Sequence, residues 1–334
     1  MKNKQTTRRK LQFAGNSSYV LTLPKKWIIS QNLDTNNSEV LIEELSDSTI
    51  RITPSENYKN KEINEKYIIK VDKNSDPEEI VRMILGAYLA SYNQIEIATK
   101  KSTKIIPIKI SISTEEIIGK LWGSEIIAQT SDTIVIQDAL DPSLMKLKEC
   151  IEKAWFTAKN MLEQSFKAIF NQDKNAMKIV INSENTLDKL YYLALRQLYK
   201  ASSNYLFASN IGIRTSEIID YHHLAKNIER IGDHCVQLVE NFGNKMINKD
   251  LLENLSSKVI ETTDTAIEAF KKLDEELAQE AIKQKINIHL IAEENDIAYQ
   301  DYPIARSILR MADYSADIGE LVINRKVATD SKKL

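Results

Sequence analysis

From Asp141 and Pro142 onward the apolar residues return every three or four positions, and this period constrains the fold more than any other feature of the chain. Leu144, Leu147, Ile151, Ala154, Ala158, Met161, Ser165 and Ile169 make one stripe. Tyr221, Leu224, Ile228, Ile231, Cys235, Leu238 and Phe242 make a second. Leu255, Val259, Ala266, Phe270, Leu273 and Leu277 make a third, and Ile304, Ile308, Met311, Ser315, Ile318 and Val322 a fourth. The spacing predicts six helices, over residues 142–170, 173–208, 215–246, 250–277, 279–298 and 302–327. Eight Gly and six Pro in 334 residues leave few breaks, and long helices on short connections pack as antiparallel bundles.

The helical zone is duplicated. Placing LAKNIERIGDHCVQLVE (224–240) over IARSILRMADYSADIGE (304–320) aligns Ala225 with Ala305, Ile228 with Ile308, Arg230 with Arg310, Asp233 with Asp313 and Glu240 with Glu320. A shared amphipathic pattern explains the apolar matches. It does not explain an Arg, an Asp and a Glu at one common offset, so the zone reads as two three-helix units, 141–246 and 247–330.

Upstream the pattern changes twice. Residues 1–33 hold Lys2, Lys4, Arg8, Arg9, Lys10, Lys25 and Lys26 and no Asp or Glu, a local excess hidden by the net charge of −2. Residues 10–14 and 19–23 read as strands around a turn at Gly15 and Asn16. Pro24 opens a short helix to about Ser30, and residues 39–44 and 49–53 form a second strand pair. The resulting domain, 1–55, is small enough to need a partner chain to complete a core. Residues 60–140 read as a small α/β domain, with strands at 66–71, 95–98 and 105–112, helices at 76–91 and 114–121, and a hairpin over 125–136. The domain contains neither a Gly-rich phosphate loop nor a catalytic cluster.

Candidate chemistry lies in carboxylates at helical spacing. Glu184 and Asp188, and Glu229 and Asp233, are both Glu-x-x-x-Asp, which puts two like charges on one helix face. Forty-seven acidic residues give roughly six or seven such pairs by composition alone. These two stand on the flanks of their apolar stripes in the same sense, so adjoining flanks gather four carboxylates at a groove suited to a hard cation or iron. In the second repeat Leu309 replaces Glu229, although Asp313, Asp317 and Glu320 remain. None of His222, His223, His234 or His289 follows a Glu by three residues, which argues against a ferritin-like di-iron core. A metallo-hydrolase is disfavoured because His ligands and a general base are missing, and the chain is expected not to be an enzyme.

Composition bounds the rest. A near-neutral chain, 43% hydrophobic and 28% charged, is not a polycation that coats nucleic acid, so such contact must come from the Arg8, Arg9, Lys10, Lys25 and Lys26 patch. Cys150 and Cys235 cannot build a disulfide framework. No apolar run is long enough to cross a membrane and no secretory signal is visible, so the expected location is the cytoplasm, without membrane insertion.

These residues resemble known families. NIERIGDHC (227–235) closely resembles the ERIGDH-type motif of the PhoU phosphate-uptake regulators, and LRMADYSADIGE (309–320) looks like its second-repeat counterpart. RKLQFAGNSSYVLTLPKKW (9–27) resembles the AbrB/SpoVT swapped-hairpin DNA-binding domain, a pairing similar to the archaeal form of PhoU. The implied fold is multidomain and mainly α, with a small β-rich AbrB-like domain, a small α/β middle domain and a C-terminal pair of PhoU-like three-helix bundles. The resemblance implies an iron or zinc cluster, its metal role falling on Glu184, Asp188, Glu229, Asp233 and Asp313. It also implies a homodimer that contacts DNA through residues 1–33, and restraint of the phosphate ABC transporter or its sensor kinase. The expected function is therefore a cytoplasmic regulator of phosphate uptake, a metal-binding helical sensor coupled to a DNA-binding domain. The alternative is an AbrB-type transcription factor that senses a metal or a small anion unrelated to phosphate.

Overall fold

The computed structural model describes residues 8–15, 18–33, 38–44, 49–55, 66–100, 103–243 and 246–330, and the chain divides into two compact units, Met1–Asn64 and Glu65–Leu334. In the first unit β1 (Gln12–Ala14) pairs antiparallel with β2 (Ser18–Val20), and Gly15 at φ 68 begins the turn between them. The Asn16 of the expected turn and the turn at 46–48 lie outside the described residues. Pro24, at φ −63, opens α1 (Lys25–Ser30), and β3 (Val40–Glu44) pairs antiparallel with β4 (Ile50–Pro54). Among the described residues of this unit only Pro54 is buried. Leu11, Phe13, Tyr19, Ile29, Ile42 and Ile50 are all exposed.

The second unit begins with a four-stranded sheet in the order β5 (Lys66–Val71), β6 (Gln94–Thr99), β8 (Thr133–Asp138), β7 (Ser124–Gln129). β5 and β6 run parallel through the crossover helix α2 (Pro77–Leu89), whose start is fixed by the Asp76 side chain accepting from the Glu78 N–H. The other pairs are antiparallel, with a bulge in β7 between Ile126 and Ala128. One sheet face buries Ile69, Val71, Ile95, Ile97, Ile134 and Ile136 in the cluster that includes Ile84 and Tyr88 of α2.

Residues 105–112, expected as a strand, instead lead into α3 (Ile108–Ile118). The alternating isoleucines mimic a period of two. Pro107 starts the helix, and the buried positions are Ile110, Thr114 and Ile117, the spacing of a helix face. Ile108 and Ile112, which the strand reading would have paired with Ile110, are exposed.

The helices follow. A 3-10 turn at Pro142–Leu144 precedes α4 (Leu147–Asn171), then α5 (Lys174–Ser203), the short α6 (Tyr205–Asn210) and α7 (Ile218–Glu240). α8 (Lys249–Lys272), α9 (Glu275–Glu294) and α10 (Tyr302–Asp330) complete the chain. The expected helix over 173–208 is two helices, because the Asn204 side chain accepts from Phe207 N–H and starts a new one. Leu277 belongs to α9 and not to the preceding helix. The cause is a device used in both repeats: a left-handed residue (Gln172, φ 56; Leu273, φ 54) is followed by an Asp that caps the next helix. Asp173 accepts from Asn175 and Ala176 N–H, and Asp274 from Glu276 and Leu277 N–H.

α4, α5 and α7 pack on one another, as do α8, α9 and α10, and α7 lies against α10. The last pair is antiparallel: Arg325 meets Glu217 just before α7, Arg230 lies over the Tyr314 ring, and His234 bonds Ser307. Residues at corresponding positions of the repeat therefore meet only near Ile231 and Met311, both fully buried. The sheet is seated on the first three-helix group. Arg196 of α5 forms a buried ion pair with Asp138 of β8 and stacks 4.5 Å from the Tyr88 ring centroid, and Gln197 Nε2 donates to the carbonyls of Pro142 and Met145.

Candidate functional site

The carboxylate groove forms between α5 and α7. A Cβ on Gly232 would stand 2.1 Å from Leu187 Cδ2, so any larger residue there makes the Leu187 side chain shift. Leu187 precedes Asp188 and Gly232 precedes Asp233, so this contact sets the two acidic pairs on facing helices, near enough for their charges to interact. Glu184, Asp188, Glu229 and Asp233 feel one another's charge. Burial pushes the Glu184 carboxyl up, with Asp188 adding to it. Burial also raises Glu229, against the opposing pull of Lys226. Asp233 is pushed up to about 7, by burial first and then by the negative charges of Glu229, Asp188 and Glu184.

Two ammonium groups enter this groove. Lys226 Nζ donates to both oxygens of Glu229 at 2.8 and 2.6 Å and stands over the Tyr191 ring. Lys120, which follows α3, donates to Asp188 Oδ2 at 2.8 Å. Burial acts to lower the Lys120 pKa, but the bond to Asp188 and the fields of Asp188, Glu184 and Asp233 outweigh it and raise it. Two tyrosines wall the groove, and burial pushes both phenols up, Tyr192 to about 12. These lysines supply countercharge that the sequence reading assigned to a cation. The donor set is all carboxylate, the chemistry of a hard metal, yet an iron or zinc cluster fits it only if Lys120 and Lys226 move away. Among the described residues no group of three or more His, Cys, Asp or Glu side chains is gathered to hold an ion.

Asp313, the corresponding aspartate of the second repeat, stands apart from those four. His289 Nε2 lies 2.9 Å from its Oδ1, Lys285 Nζ 3.5 Å from the same oxygen, and Arg310 Nη1 donates to Oδ2 at 3.1 Å. Arg8, Arg9, Lys10, Lys25 and Lys26 are all exposed, the last two in the first turn of α1, and none makes an ion pair among the described residues. Sequence reasoning missed Lys120 and Lys226. Lys226 was legible as an i,i+3 partner of Glu229. Lys120 was not, because 68 residues separate it from Asp188.

Residues 151–242, spanning most of α4 and all of α5, α6 and α7, match the sequence family described as the PhoU domain. Among solved structures, the crystal structure of PhoU from Pseudomonas aeruginosa is similar at 16% identity and a TM-score of 0.38, covering 53% of this chain and 93% of that one. No curated protein matches the chain. Among the described residues no helix is long and apolar enough to cross a membrane.

Proposed function

We propose that this protein regulates phosphate uptake from the cytoplasm, by contact between its helical unit and the phosphate transport system. One observation carries the reading: the PhoU domain match covers residues 151–242, which include all four carboxylates of the groove between α5 and α7. The test is uptake of labelled phosphate, with expression of phosphate-starvation genes, in cells lacking the gene and in cells complemented with it. Loss of the gene is expected to leave uptake and starvation genes on in high phosphate. An unchanged response to phosphate overturns the proposal.

The N-terminal unit is proposed as a homodimeric DNA-binding module of the AbrB type. Its support is a unit whose described residues bury only Pro54 while displaying Phe13, Tyr19 and Ile42, a composition that a second copy would cover. The exposed cations Arg8, Arg9, Lys10, Lys25 and Lys26 suit phosphate contacts, whose strength falls steeply as salt rises. Salt-insensitive binding, or none, would remove the DNA role. The iron or zinc cluster is likewise a proposal, tested by elemental analysis of the protein beside a variant with Glu184, Asp188, Glu229 and Asp233 all changed to alanine. Equal metal content in the two removes it.

A further inference from the structure

The antiparallel pair α7 and α10 lines a cleft of about 480 Å³, which Lys226 also borders. Its α7 wall presents His222, Asn227 and Arg230, and its α10 wall Asp317 and Glu320. The repeat gives each residue here a twin 80 positions away, and the twins of Asn227 and Arg230 have hydrogen-bond partners. Ser307, the twin of Asn227, bonds His234. Asn227 as a residue is 6% exposed, and its side chain lines the cleft and makes no hydrogen bond among the described residues. Arg310, the twin of Arg230, donates to Asp313 and to the Tyr314 hydroxyl. Arg230 has no carboxylate within ion-pair distance among the described residues, and only the Tyr314 ring lies beneath it, at 5.4 Å.

An amide that faces a cleft with no protein partner is free to bond a ligand held there. The charges around it select the ligand. An anion alone that reached Arg230 would face Asp317 and Glu320 across the cleft, and a cation alone that reached the two carboxylates would face Arg230 and Lys226. His222 adds no charge to the balance, because burial, with His223 and Lys226 nearby, holds its pKa below the usual value. A molecule carrying one charge of each sign meets both walls favourably, and the cleft is of the size that holds small organic molecules. We propose that this cleft binds a small zwitterion, its carboxylate or phosphate received by Arg230 and Asn227 and its protonated amine by Asp317 and Glu320.

The experiment is calorimetric titration of the full chain with γ-aminobutyrate and with 2-aminoethyl phosphate. Acetate, inorganic phosphate and ethylammonium serve as single-charge controls. At least one zwitterion is expected to bind about tenfold or more tightly than each control. Arg230→Gln and Asp317→Asn, both at exposed positions, are each expected to weaken that binding about tenfold while the thermal melt stays unchanged. Asn227→Leu, which keeps the bulk and removes the amide, is expected to weaken it as well. Absence of binding by both zwitterions up to on the order of 10 mM overturns the proposal, as does equal binding by acetate or phosphate. Binding that survives Arg230→Gln and Asp317→Asn places the ligand elsewhere and overturns it too.

Discussion

Asp233 and Asp313 occupy the same position of a duplicated helix, and their surroundings are opposite. Asp233 sits with Glu184, Asp188 and Glu229, and its carboxyl is pushed up to about 7. Asp313 sits with Lys285, His289 and Arg310. The helix, the register and the aspartate are common to both, so the difference comes from the side chains that the second helix of each repeat turns toward it, Glu184 and Asp188 on α5 against Lys285 and His289 on α9. α5 carries the sheet, fastened by Arg196 to Asp138 and by Lys120 to Asp188. On α9 the apolar Ile286 and Leu290 are exposed, while Lys285 and His289 turn toward Asp313. A repeated sequence thus fixes the scaffold twice, and the neighbour of each copy decides its electrostatics.

The largest test of that account removes the fastening. Arg196→Met leaves Asp138 buried without its guanidinium and is expected to destabilise the second unit by about 3–5 kcal/mol in chemical denaturation. Arg310→Met, which removes a half-exposed partner of Asp313, is expected to cost about 1 kcal/mol or less. Equal losses would mean that the seated sheet is not what distinguishes the two repeats. A smaller effect is expected where the helices touch. Gly232→Ala forces Leu187 to move, an overpacking cost of about 1–3 kcal/mol, reduced by the roughly 1 kcal/mol that Ala gains over Gly in a helix. Its twin is already an alanine, Ala312, fully buried. The reverse change Ala312→Gly is therefore expected to cost about 1 kcal/mol from propensity alone, without altering the charges around Asp313.

The same contrast shows what could be read from the sequence. The stripes through Leu224–Phe242 and Ile304–Val322 gave both helices and their register, because burial of an apolar face is a local, periodic demand. The break after Ser203 was missed, because it depends on the single capping Asn204, and the break expected after Leu277 comes earlier, after Lys272, where the left-handed Leu273 is not a glycine. Ile105 to Ile112 was misread because a run rich in isoleucine satisfies both periods, and only Pro107 decides between them. At the site, the flanks of two stripes put both acidic pairs on helices that pack together, near enough for their charges to interact. The presence of Lys120 does not follow from them, since it requires knowing where a separate sheet sits. Asn227 and Arg230 stand inside the motif NIERIGDHC, but that neither has a hydrogen bond or ion pair among the described residues is visible only against Ser307 and Arg310.

The last and smallest effect is a pH dependence that adjacent residues pull in opposite directions. Asp233 has an ordinary value of 3.8 and a folded value of about 7, so the folded state holds its proton more tightly than the unfolded one. Its contribution to stability falls as pH rises through that interval, and the penalty is complete above about 7. His234 behaves conversely. Burial first, then the charges of Arg310 and Arg306, lower it from 6.5 to about 4, so the unfolded state holds the proton more tightly. Its contribution is present above 6.5 and is lost as pH falls toward 4. In the unaltered protein the two slopes oppose each other. Asp233→Asn is expected to leave stability rising between pH 4 and 6.5, and His234→Gln to leave it falling between pH 4 and 7. Each variant is expected to depart from the parent by on the order of 1 kcal/mol across its window, measured by denaturant midpoints at several pH values. Parallel profiles for the two variants would mean that the carboxylate groove does not hold Asp233 in the protonated range, and the contrast with Asp313 would lose its electrostatic basis.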